Sequence, residues 1–182
     1  MRLYLIRHGK TEANERHLYC GSTDLPLSDA GREELKGHRY DISNVRFITS
    51  GMKRTNETLE LLFGPVPYDA DPRFREVDFG LFEMHSYDEL RDDPAYQRWI
   101  TGDNESNIPL GGESGIQMKQ RVIAALNDIG EDTCIVTHGG VIAAIMEHLF
   151  PEENKNRYQW QPKNGCGYVI ENQSYRPING NS

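Results

Sequence analysis

Leu3-Tyr4-Leu5-Ile6 runs straight into Arg7-His8-Gly9, and Cys134-Ile135-Val136 runs straight into Thr137-His138-Gly139-Gly140. Each opening run is nearly all apolar. A strand buried on both faces reads this way, which is the habit of a parallel sheet covered by helices. Arg46-Phe47-Ile48-Thr49 supplies a weaker third strand, and Gly167-Tyr168-Val169-Ile170 a fourth, late and at an edge. Helical patterns lie between them. Residues 28–36 begin at a serine placed to cap them. Residues 52–63 carry Met52, Leu59, Leu62 and Phe63 on one face and stop at Gly64-Pro65. Ser114-Gly115-Ile116-Gln117 has the spacing of a capping box, and Met118, Val122, Ala125 and Ile129 follow at helical intervals. Residues 141–150 give a further helix, ended by Pro151. Strands separated by helices predict βαβ units and an open, mostly parallel α/β sheet.

The 182 residues fit one domain spanning 1–182, long enough to bury a core. Lys and Arg total 20 against 28 Asp and Glu, a net charge of −8, so nucleic acid and anionic lipid are repelled. An anionic substrate must then be drawn in by a local cluster of Arg and His. Hydrophobic content of 37% and charged content of 26% are those of an ordinary globular chain. No run approaches the roughly 18 apolar residues of a membrane-crossing helix. Residues 1–6 enter a strand with no apolar leader of signal-peptide length, so a cytoplasmic protein is expected. Cys20, Cys134 and Cys166 are scattered, and neither a disulfide framework nor a zinc site is indicated. Residues 179–182 read as a frayed tail. Residues 68–110, rich in Asp, Arg, Pro and Gly, break the strand-helix rhythm and are expected to wall or cover a pocket.

Both His8 and His138 follow a strand at its carboxyl end, the edge where open α/β sheets bind ligands. Glycine after each lets a ligand approach the backbone, and the free N–H groups at the start of the helix that follows His138 favour an anion. A lone histidine here is usually structural. Two in equivalent positions, one preceded by Arg7, raise a catalytic reading. Arg54, in the first turns of the helix after the third strand, would face the same edge and form a multi-donor clamp with Arg7. A carboxyl group with a raised pKa could serve as general acid, and by spacing alone Glu76, Asp78 and Glu83 are equal candidates.

Several segments carry a family resemblance: Leu5-Ile6-Arg7-His8-Gly9-Lys10-Thr11-Glu12-Ala13-Asn14, Cys20-Gly21-Ser22-Thr23-Asp24-Leu25-Pro26-Leu27-Ser28-Asp29-Ala30-Gly31, Ser50-Gly51-Met52-Lys53-Arg54-Thr55, Arg75-Glu76-Val77-Asp78-Phe79-Gly80, Gly111-Gly112-Glu113-Ser114 and Val136-Thr137-His138-Gly139-Gly140. In this order they resemble the histidine phosphatase superfamily, also called the phosphoglycerate mutase-like family. The resemblance implies a three-layer α/β/α sandwich. It makes His8 the nucleophile that becomes phosphohistidine and Glu76 the acid and base. Arg7, Arg54 and a cationic His138 would line the phosphate pocket. Asn14, Cys20, Gly21 and Gly139 would contact the phosphoryl group or its neighbour. No metal or cofactor is required, because side-chain cations neutralise the phosphoryl oxygens.

The family holds mutases and phosphatases on one core. A mutase must shield its phosphohistidine from water, and the mutases compared use a longer insertion between the acid and the Gly111-Gly112-Glu113-Ser114 segment. The shorter stretch here favours hydrolysis. A small anionic phosphorylated substrate is expected, α-ribazole phosphate or a sugar phosphate, with no nucleic acid or membrane partner and a monomeric or homodimeric state. The alternatives are mutase-type transfer and a non-catalytic module that binds a phosphometabolite. Lys10, Ser22 and Met84-His85 depart from the family pattern at positions expected to border the pocket. Cys20 reads as an inert thiol near the site.

Overall fold

A computed structural model describes residues 1–103 and 105–181. Its strands are β1 (Arg2–Arg7), β2 (Arg46–Thr49), β3 (Asp69–Ala70), β4 (Thr133–Thr137), β5 (Gly167–Glu171) and β6 (Ser174–Ile178). Its helices are α1 (Glu12–Glu15), α2 (Asp29–Lys36), α3 (Lys53–Phe63), α4 (Tyr87–Leu90), α5 (Pro94–Ile100), α6 (Gly115–Asn127), α7 (Gly139–Leu149) and α8 (Arg157–Trp160). The strands form one sheet in the order β3-β2-β4-β1-β5-β6. β1 and β2 run parallel to β4, and β3 runs parallel to β2, while β5 and β6 are antiparallel.

The pleat sorts the apolar runs into two layers. Leu3 and Leu5 of β1 join Ile48 and Ile135 in a core with Met118 and Val122 of α6 and Ile142 and Ile145 of α7. Tyr4 and Ile6 point the other way and join Phe47, Cys134 and Val136 against Leu59 of α3. A continuous apolar run is needed because both faces are covered, and every residue of β4 is buried. The result is the α/β/α sandwich.

Helix ends follow local chemistry. The Ser28 hydroxyl accepts from the Gly31 amide at 3.0 Å to start α2. Ser114 and Gln117 complete the capping box of α6. α7 begins at Gly139, two residues before the sequence pattern predicts, with His138 as its N-cap.

The structure departs from the sequence reading at the carboxyl end. The fourth strand is not an edge, because β6 pairs outside it. Asn172 and Gln173, both at positive φ (51° and 60°), make the two-residue turn joining β5 to β6. Pro177 and the lack of apolar alternation hid that strand. The tail is also not frayed throughout. The Arg39 amide donates to the Gly180 carbonyl, Asn181 bridges to Arg39, and Ser182 lies outside the described residues. Ile129 falls beyond α6, yet it stays buried in the same core.

Residues 68–110 build a small core of their own. Phe82, Leu90 and Tyr96 are buried with Tyr19, Phe79, Trp99 and Ile100 packed against them. Among the described residues, no helix is long and apolar enough to cross a membrane.

Ile135, with no exposed surface, packs at the centre of the larger core. Ile135→Ala should lower unfolding free energy by about 2–5 kcal/mol, read from the urea midpoint at constant m. A change under about 1 kcal/mol would contradict this packing.

Candidate active site

Pairing of β1 with β4 sets Arg7 opposite Thr137, so the residues that follow leave the sheet side by side. The His8 amide donates to the Thr137 carbonyl at 2.9 Å. The rings of His8 and His138 then meet edge-on with centroids 5.2 Å apart. Parallel register alone brings the two histidines together.

His8 is buried, with Nδ1 only 2.6 Å from the Gly9 carbonyl. A carbonyl can only accept, so Nδ1 carries the proton and Nε2 keeps its lone pair. Burial, then the charges of Arg54 and Arg7, hold the His8 pKa well below the usual histidine value; the Gly9 bond opposes them. The turn is fixed from α3, where the Thr58 hydroxyl accepts from the Gly9 amide at 2.9 Å. The Asn164 side chain donates to the His8 carbonyl at 3.0 Å.

Arg54 is 1% exposed. Its terminal nitrogens donate to the carbonyls of Thr23 and Gly21, each at 2.8 Å, which leaves other N–H groups of its five for a ligand. Arg7 donates from Nη1 to the Pro162 carbonyl at 2.8 Å. Its Nε is buried with no partner. Burial lowers the Arg7 pKa from its usual value, with the Glu76 charge opposing.

His138 has no exposed surface, and its Nε2 lies 2.9 Å from the Ser50 hydroxyl. The Thr55 hydroxyl donates to the Met52 carbonyl at 2.8 Å, so its remaining contact with Ser50 at 3.0 Å must be as acceptor. Ser50 therefore donates to Thr55 and accepts from His138 Nε2–H. That leaves Nδ1 as a buried lone pair without a partner. Burial, then Arg54, His8, Arg7 and Arg121, hold its pKa well below the usual value. Desolvation and the nearby cations favour the neutral ring, whereas the cationic His138 that the resemblance implies is one that faces a phosphoryl group.

Geometry also separates the three carboxyl candidates. Glu83 accepts from the backbone of Gly21, Ser22 and Phe79 and from the Thr23 hydroxyl. Asp78 accepts from the Ser22 hydroxyl at 3.0 Å and the Gly80 amide at 2.8 Å. Both tie loops together. Glu76 lines the cavity, and its carboxyl accepts from the Gly140 amide at 2.9 Å where α7 opens. A Cβ on Gly140 would stand 2.4 Å from Glu76 Oε1, so only glycine admits this contact.

The cavity holds about 270 Å³ and is lined by Arg7, Asn14, Cys20, Glu76 and Gly140. An outer wall of Tyr19, Phe79, Trp99, Ile100, Tyr158 and Arg157 completes it. Asn14 accepts at Oδ1 from the Thr11 amide at 3.0 Å, which orients it. Cys20 is a free thiol whose pKa is raised mainly by burial. Gly139 opens α7 against the Arg7 guanidinium.

Gly21 is placed otherwise than the resemblance implies. Its amide goes to Glu83 and its carbonyl to Arg54, and a Cβ there would meet the Val77 carbonyl at 1.7 Å. It orients Arg54. Lys10 pairs with Glu34 at 2.9 Å, and His85 lies 3.8 Å from Glu89, so neither faces this cavity. Sequence reasoning missed Ser50, Thr58, Pro162 and Asn164. Ser50 stands inside a quoted motif, but the last two come from residues 157–166, where no motif signals their approach to Arg7 and His8. Among the described residues, no three His, Cys, Asp or Glu converge to hold a metal ion.

Residues 3–178 match the histidine phosphatase superfamily (branch 1). The chain is 30% identical to the adenosylcobalamin/alpha-ribazole phosphatase of Escherichia coli K12, covering 98% of this chain and 94% of that one. It is 27% identical to a protein of Enterobacter sp. strain 638 named probable phosphoglycerate mutase GpmB, covering 94% and 91%. A solved structure of a provisionally assigned alpha-ribazole-5'-P phosphatase from Escherichia coli superposes with a TM-score of 0.85 at 28% identity, covering 100% of this chain and 96% of that one.

Both depressed histidine pKa values bind fewer protons folded than unfolded. Their contribution to stability is therefore complete above the ordinary histidine pKa of about 6.5 and is lost as pH falls below it. The denaturation midpoint should decline on acidification through that range, and the ring protons of His8 and His138 should keep neutral chemical shifts at pH 6.5. Resonances of these two rings titrating with an ordinary midpoint would contradict the burial and charge argument.

Proposed function

The chain belongs to the histidine phosphatase superfamily, branch 1, and from that premise we propose that it hydrolyses a small phosphomonoester through a phosphohistidine on His8. The observation that carries this reading is the 2.6 Å bond from His8 Nδ1 to the Gly9 carbonyl, which leaves a neutral Nε2 beside the buried Arg54 and the half-buried Arg7. A neutral imidazole held among fixed cations attracts a phosphate dianion and keeps its own lone pair.

His8 Nε2 attacks phosphorus as the bond to the leaving alkoxide breaks. Arg7 Nε, Arg54 and His138 receive the non-bridging oxygens. The dianion raises the His138 pKa, so Nδ1 takes a proton and becomes a donor to it. Glu76 in its acid form gives its proton to the alkoxide. As carboxylate it then takes a proton from water, whose oxygen attacks phosphorus and breaks the N–P bond. Inorganic phosphate leaves and His8 is restored. The covalent step divides one displacement into two.

The aromatic outer wall favours a leaving group with a flat, uncharged portion, as in α-ribazole phosphate, over a small sugar phosphate. Arg157, the cation on that wall, is already paired with Glu105. A phosphoglycerate carboxylate would have to break that pair, which weighs against the mutase alternative. The three free thiols fit a reducing, cytoplasmic setting.

The protein should hydrolyse p-nitrophenyl phosphate in the presence of EDTA, and rapid quenching should trap a phosphoryl group on His8. His8→Ala should abolish both. Binding without turnover in the intact protein would support the non-catalytic module, and phosphoryl transfer between phosphoglycerates would support the mutase. Glu76→Gln should lose about 10²–10⁴-fold on alkyl phosphates, yet far less on p-nitrophenyl phosphate, whose leaving group needs little protonation. Equal losses would remove Glu76 from the acid role.

A further inference from the structure

Glu76 sits in a stretch with no regular ladder to hold it. A short 3₁₀ turn ends at Phe74, and the following residues run on as loop. Side chains capture the carbonyls of this stretch one by one. The Thr137 hydroxyl donates to the Phe74 carbonyl at 2.7 Å. Arg121 takes the others: Nη1 donates to Arg73 at 2.8 Å and Arg75 at 2.6 Å, and Nη2 to Glu76 at 3.0 Å. The two remaining N–H groups go to Glu113, one of them from Nε at 3.2 Å. Glu113 in turn accepts from the Asp78 amide at 3.3 Å, and its own amide donates to the Asp78 carbonyl at 3.0 Å.

We infer that Arg121, braced by Glu113, is the positioning residue for the acid-base group Glu76. The inference rests on the proposed role of Glu76. All five guanidinium N–H groups are used, on three carbonyls and one carboxylate. A lysine has three donors on a flexible stem and cannot span that set. Arg121 belongs to α6, whose Met118, Val122 and Ala125 are locked in the core. The brace therefore references Glu76 to the sandwich instead of to the loop. Nothing in the proposed chemistry has Arg121 touching substrate. Its hydrogen bonds reach the reaction through the Glu76 carboxyl, where a misplacement near 1 Å can cost about 10²-fold in rate, while Arg121→Lys keeps the positive charge that His138 also feels.

The test compares p-nitrophenyl phosphate with a phosphorylated alkyl alcohol in wild type, Arg121→Lys, Glu113→Gln, Glu76→Gln and the Glu76→Gln/Arg121→Lys double variant. Arg121→Lys should lose at least about tenfold in kcat on the alkyl ester and under about threefold on p-nitrophenyl phosphate. Its phosphohistidine yield from the latter should be unchanged. Glu113→Gln should do the same to a smaller degree, keeping the test open if Arg121→Lys folds poorly. Adding Arg121→Lys to Glu76→Gln should cost nothing further on the alkyl ester, because the group it positions is gone. Equal losses on both substrates, or losses that multiply in the double variant, would overturn the inference and leave the Glu76 assignment standing. If Glu76→Gln itself loses equally on both esters, the acid assignment falls and the inference with it.

Discussion

A buried guanidinium, Arg54, and a half-buried one, Arg7, beside two buried imidazoles set the terms of this site. Charges withdrawn from water must find compensation, and here it comes from carbonyl oxygens: Pro162 for Arg7, and Gly21 and Thr23 for Arg54. Those contacts orient the arginines without cancelling their charge. Burial and then the uncancelled charge hold both imidazole pKa values down, and that charge gives the edge of an acidic protein a local positive field. Among the described residues Arg7 Nε and His138 Nδ1 are buried without a hydrogen-bond partner, where buried polar atoms otherwise find one.

That charge arrangement depends on loops, and the loops depend on carboxylates that have no part in chemistry. Glu83 gathers the amides of residues 21, 22 and 79. It thereby presents the Gly21 carbonyl to Arg54. Glu113 braces Arg121, which holds the chain through Glu76. Acidic residues of similar appearance thus divide by their partners: Glu83 and Glu113 are taken up by loop amides and Arg121, while Glu76 meets the Gly140 amide where α7 opens. Their difference lies in what surrounds them.

The aromatic wall belongs to the same logic. Residues 68–110 send Phe74 and Val77 into the main core, while Phe82, Leu90 and Tyr96 build a satellite core beside it. The partly buried Tyr19, Phe79 and Trp99 packed against it also line the cavity. Packing that stabilises the covering segment therefore sets the shape offered to a leaving group.

The apolar runs around Leu5 and Ile135 were enough to specify a buried parallel sheet, because periodicity and burial are local properties of a strand. The Arg-His-Gly and Thr-His-Gly-Gly segments likewise disclosed the site, since strand ends and helix starts carry their own chemistry. The sequence could not show that Asn172 and Gln173 turn the chain into β6, because neither is a glycine. It could not show that Pro162 and Asn164 return to Arg7 and His8, across more than 150 residues. Nor could spacing alone choose among Glu76, Asp78 and Glu83, a choice that rested on the family resemblance, or predict a neutral His138. Protonation and role follow from desolvation and from the charges nearby in space, and only the folded chain brings those neighbours together.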